Sequence, residues 1–180
     1  MNSTQQKIVK SSKLISRILF IGNALNCIFI LLSAIVICIF ILGNEDLISS
    51  LQNVYKTTAD GTIKIPAKED LIILFSFAIA QLGILFTILR ILYQIFKDIS
   101  TACTPFEKKQ VGRIKRTAQL TLVMCIASSI FDAIGHLILY DTVSIFRINV
   151  IWFALALIIF YLAHIFEYGC ALQEQSDETL

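Results

Sequence analysis

Apolar residues in this chain run in long, nearly unbroken blocks, and the polar residues gather between them. Four blocks stand out: Ile18 to Gly43, which holds no charge, Leu71 to Leu89, Thr117 to Leu139, and about Val150 to Phe166. An α-helix rises about 1.5 Å per residue and the hydrocarbon core of a bilayer is about 30 Å thick, so a span takes roughly 20 mostly apolar residues. Lipid cannot hydrogen-bond an exposed backbone, so the blocks read as helices despite their Ile, Val and Phe, which favour strands in water. The pattern predicts an all-α membrane protein: one domain over 1–180 with four transmembrane helices in two hairpins.

Composition agrees. Hydrophobic residues make up 57% of the 180 and charged residues 16%, against roughly 45–50% and 25% in soluble chains. Five cysteines are an odd number, and none falls in a segment read below as an outer loop. That placement argues against structural disulfides. No C-x-x-C occurs and the two histidines, His136 and His164, lie on different spans, so neither a metal site nor any cofactor is expected.

Basic residues are held on the cytoplasmic side of short connecting segments. Lys7, Lys10, Lys13 and Arg17 precede the first span, and Arg90, Lys97, Lys108, Lys109, Arg113, Lys115 and Arg116 lie in the 90–116 segment. Only Lys56, Lys64, Lys68 and Arg147 lie on the other side. Both termini are therefore expected inside, with an outer loop over 44–70 and an acidic inner tail over 167–180. The basic start and first apolar block also fit a signal peptide in outline. However, 26 apolar residues exceed the roughly 7–15 of a signal core, and no A-x-A-like cleavage site follows.

Within the outer loop, Asp60-Gly61 lies between Val54–Ala59 and Thr62–Ile65, with Pro66 after the second arm. This is a two-residue turn signal and predicts a small extracytoplasmic β-hairpin, either a docking surface or a connector. In the inner loop, Thr104-Pro105-Phe106-Glu107 reads as a helix start, with Thr as N-cap, Pro at the first position and Glu reaching back. The third helix would then begin in the cytoplasm and carry Lys108, Lys109, Arg113, Lys115 and Arg116 through the headgroup layer. Such a cluster attracts anionic headgroups or an acidic protein partner. Without interleaved aromatics or a recognisable motif, direct nucleic-acid binding is not expected.

On the third span, Thr121, Cys125, Ser128, Asp132 and His136 recur at steps of three and four, so they share a helical face that is expected to look into the bundle. Asp132 is the only acid within a span, and intramembrane acids pair, protonate or line a wet cavity. Its expected partners are His136 and Gln81, and the group either binds a cation or proton or simply fixes packing. Ser76, Ala80, Gly83 and Thr87, with Ala156 and Ala163, are small residues expected at helix contacts, and Asn23 and Asn26 are expected to bond across helices. None of the phosphate-binding, dinucleotide, zinc-protease or nucleophile-elbow motifs is present.

The inner-loop Thr104-Pro105-Phe106 with its basic continuation, and the closing stretch from Ile165 to Leu180 with Gly169, Leu172-Gln173 and Asp177-Glu178-Thr179-Leu180, resemble a group of bacterial membrane proteins defined as the domain of unknown function number 2975. Cys170 departs from the small residue, commonly Ala, of that pattern. The resemblance implies a four-helix bacterial inner-membrane protein, often encoded beside a small helix-turn-helix regulator, and carries no activity. Gly169, just past an apolar run, then suits a left-handed helix cap.

These readings lead to a non-enzymatic protein, able to oligomerise, that relays an envelope signal to a cytosolic partner. The alternative is a small transporter or immunity-type protein using Asp132 and His136, and an intramembrane enzyme is a third class.

Overall fold

The computed structural model describes residues 3–43, 49–50, 53, 67–102, 107–140 and 148–178. Four long helices cover most of them: α1 (Ser3–Leu42), α2 (Lys68–Ala102), α3 (Lys108–Tyr140) and α4 (Val150–Glu178). All four are long and apolar enough to cross a membrane. No strand occurs among the described residues. The β-hairpin expected over 54–65 lies outside them, and the described residues just before it, Ser49, Ser50 and Asn53, are helical.

Every helix outruns its apolar block at one end. Lys, Gln and Glu interrupt hydropathy but are good helix formers, so α2 continues past Leu89 to Ala102 and α4 past Phe166 to Glu178. Gly169 therefore sits inside α4 and caps nothing. The left-handed glycine is Gly43 at the end of α1, with φ 75° and its N–H donated to the Phe40 carbonyl at 3.3 Å. α3 starts later than expected: Glu107 is not helical, and its carbonyl accepts the N–H groups of Gln110 and Val111. Glu107 thus occupies the capping position expected of Thr104, which is outside the described residues. At the start of α4, the Asn149 side chain accepts the Trp152 N–H at 3.4 Å and caps the helix.

The helices pack as two antiparallel pairs, α1 with α2 and α3 with α4, joined through α2 and α3. α4 has no extensive neighbour but α3, so its buried line of Ala156, Ala163 and Cys170 is covered by α3. Those residues recur every seventh position, as do the buried Val111, Ala118 and Cys125 of α3. Small side chains at this spacing let two helix backbones approach closely. The α2 face toward α3 is bulkier, with Ile91, Ile95 and Ile99 packed against Ile114 and Leu120.

Buried hydroxyls on α3 are satisfied within the helix itself. Thr117 donates to the Arg113 carbonyl, Thr121 to Thr117, and Ser129 to Cys125, all at 2.9–3.0 Å. A hydroxyl returned to its own helix can be buried without leaving a donor unpaired.

Two packing expectations need correction. Ser76 and Ala80 of α2 are exposed, and a Cβ added at Gly83 would meet nothing within 4 Å, so the small stripe of α2 is not a close contact. The contact falls instead on the larger Ile88 and Ile91. Asn23 and Asn26 do face inward, but their Oδ1 atoms accept no hydrogen bond.

Candidate functional site

Charge gathers where α2 and α4 end and α3 begins. Arg113 donates to Asp98 at 2.7 Å, and Lys109 lies 3.5 Å from the same carboxylate. Lys115 donates to both oxygens of Glu167 at 3.0 Å, His164 Nδ1 is 3.5 Å from Glu167, and Lys108 pairs with Glu174 at 2.6 Å. A belt of ion pairs thus ties α3 to α2 on one side and to α4 on the other. All these groups except His164 lie outside the apolar blocks.

Asp98, Glu167 and Lys108 are tuned by their neighbours. The hydrogen bond from Arg113 is the main cause that holds the Asp98 carboxyl below its ordinary value; burial opposes it, and the charges of Arg113 and Lys109 add smaller lowering effects. The Lys115 ammonium lowers Glu167 in the same way, with His164 adding less, and Glu174 raises Lys108.

Between α3 and α4 the belt frames a cleft of about 390 Å³, lined among others by Lys108, Gly112, Lys115, Glu167, Cys170 and Glu174. A second cavity of about 220 Å³ lies among α2, α3 and α4, walled by Ile95, Phe96, Ile114, Thr117, Ile159 and Phe166 among others. It exposes no polar lining surface.

The basic cluster of the sequence thus has a definite place. Lys108, Lys109, Arg113 and Lys115 are each spent on an acid of the same chain, while Arg116 remains exposed and without an ion-pair partner among the described residues. Sequence reasoning missed Asp98, the hub of the α2–α3 contact. Its signal was available: apart from Glu107 it is the one acid among the basic residues of the 90–116 segment.

The group around Asp132 is not brought together. Thr121 and Cys125 are buried as expected, but the buried line then passes to Ser129, and Asp132 and His136 are exposed. The reason is the position of α4. Cys125 Sγ donates to the Asn149 carbonyl at 3.5 Å, so α4 starts level with Cys125. α3 then climbs about 10 Å further to Asp132, past the point where α4 covers it. No described residue pairs with Asp132. Ser128 donates back to the Cys125 carbonyl, His136 lies against Tyr140 with ring centres 5.1 Å apart, and Gln81 Nε2 is buried with no acceptor. Both the α3–α4 cleft and the apolar cavity lie toward the charged end, and neither is lined by Asp132. Among the described residues no cluster of three metal-ligating side chains occurs.

Four apolar helices and a charged collar at one end define a multi-pass helical membrane protein. No protein-family model, no curated protein and no solved structure matches the chain.

Proposed function

We propose that this chain is a non-enzymatic, multi-pass protein of the bacterial inner membrane, with both termini in the cytoplasm, that relays an envelope signal to a cytosolic protein. The partner class implied by the resemblance described above is a helix-turn-helix regulator. Orientation rests on the excess of Lys and Arg at the charged end.

One observation carries the relay reading. α4 does not stop at the edge of its apolar stretch but continues as a helix to Glu178, about 18 Å beyond Phe166, and it is locked to α3 through Glu167 and Glu174. A surface of paired helices outside the lipid, joined directly to the spans, is what a partner needs in order to read a shift of α3 against α4.

Two experiments test it. An impermeant thiol reagent applied to intact cells should label a Gly61→Cys variant and spare Cys103; the reverse result would overturn the orientation. A cytosolic protein that co-purifies from native membranes with the full chain should be lost when the residues after Gly169 are removed. An unchanged complex after that truncation, with the truncated chain melting cooperatively, would sink the role of the platform.

A further inference from the structure

The two halves of the charged end differ in how their cations are used. On α3 the ammonium and guanidinium groups face acids of the same chain. On α1 and the end of α2, Lys10, Lys13, Arg17 and Lys97 have no acidic partner among the described residues, and Lys97 rests only against the Tyr93 ring, with its Nζ 5.7 Å from the ring centre. Asp98, the acid nearest in sequence, is already occupied by Arg113 and Lys109.

These free cations flank a cleft. A cavity of about 380 Å³ opens between α1 and α2, lined by Ser16, Arg17, Phe20, Ile21 and Tyr93. The Phe20 and Tyr93 rings form its apolar wall, their centres 6.0 Å apart. Arg17 also borders a second cleft on α1, with Lys10 and Lys13. Lys10, Lys13, Arg17 and Ile21 follow one another at steps of three and four, so one face of α1 passes from cationic to apolar within a turn. The change falls at the edge of the first apolar block, where a headgroup meets its chains.

We propose that this cleft is a binding site for an anionic phospholipid of the membrane. The headgroup phosphate is held by Arg17 and Lys13, with Lys97 facing it from α2. The first acyl segment lies along Phe20, Ile21 and the Tyr93 ring. Arg17 supplies a planar fork of donors suited to a phosphate. The Ser16 hydroxyl takes no part, because it is returned to the Lys13 carbonyl at 3.0 Å. This site is distinct from the ion-pair platform and needs only the membrane embedding of the helices.

The test uses the full chain, purified and returned to nanodiscs of phosphatidylcholine with a minority of phosphatidylglycerol. Lipid retained on release into the gas phase is counted by native mass spectrometry. The wild type is expected to retain phosphatidylglycerol in preference to phosphatidylcholine. Each basic residue near an anionic surface contributes a factor of about five, so Lys13→Gln with Arg17→Gln should weaken retention about thirty-fold. Arg17→Lys keeps the charge but loses the planar fork, so its retention should fall between the wild type and the double variant. Lys115→Gln should leave retention unchanged, because that residue belongs to the other half. Equal retention of both lipids, or unaltered retention in the double variant, would overturn the site. Displacement of the bound lipid by millimolar glycerol phosphate would also overturn it, since a headgroup alone would then suffice.

Discussion

α1 and α4 are both peripheral helices, each with one extensive neighbour, yet they are attached in different ways. α4 meets α3 through small residues spaced by sevens and is tied by carboxylates at its charged end. α1 meets α2 over a more extensive contact, with Ser12, Asn26 and Phe40 buried at multiples of seven, and its cations have no acidic partner among the described residues. Ion pairing at the charged end is what sets the α3–α4 pair apart. Both peripheral helices present most of their apolar surface to whatever surrounds them, α1 through Phe20, Leu25, Phe29 and Leu32 and α4 through Ile151, Leu157 and Ile158. In a bilayer that surface is covered by lipid, so exposure which would be a liability in water is the ordinary state of a span.

The contrast is broken most severely at Ala163, which is 0% exposed. Ala163→Leu forces bulk into the α3–α4 seam and should cost about 1–3 kcal/mol, read as a lowered melting temperature in detergent. Leu25→Ala on α1, where the side chain is 52% exposed, should leave melting nearly unchanged. If the two variants behaved alike, Ala163 would not mark a close α3–α4 contact.

A smaller effect is expected from Asp98→Asn, at most about 1 kcal/mol, because the pair is only partly shielded from water. Its pH dependence sharpens the point. The Asp98 carboxyl is lowered in the folded chain, so its stabilisation is fully present above the ordinary carboxylate value and is lost as the pH falls through the lower native one. Wild type and D98N should therefore differ in melting at neutral pH and converge under acid. A gap that widened on acidification would contradict the assignment. Glu174→Gln opens an exposed pair and should shift melting less than D98N does, with the residual shift vanishing in high salt. The smallest effect belongs to Asp132→Asn, within about 0.5 kcal/mol, since no described residue pairs with that carboxylate; a larger loss would restore it as a packing element.

How far the sequence could be read followed from what each inference needed. Four spans were legible because one local property, about twenty apolar residues in a row, is sufficient. Helix ends were less so: hydropathy stops at Phe166, but the helix formers Leu172, Gln173 and Glu174 carry α4 on. The face bearing Thr121 and Cys125 was read correctly, whereas Asp132 was misplaced. A helical face is set by its own sequence, but how far it is covered depends on where another helix begins, and Asn149 sets that point. Asp98 was missed although its charge stood out in the 90–116 segment, because which cations it meets depends on how α2 packs on α3.

One further consequence lies in the hydroxyls of α3. Thr117, Thr121 and Ser129 spend their hydrogen bonds inside their own helix, so little that is directional crosses the seam toward α4. Apart from the weak Cys125 thiol contact, the register of the two rods is fixed by the latch at one end, Lys115 with Glu167 and Lys108 with Glu174. A greased slide with a clasp at its tip moves when the clasp is undone, and any acidic or basic surface that competes for those four side chains holds the key.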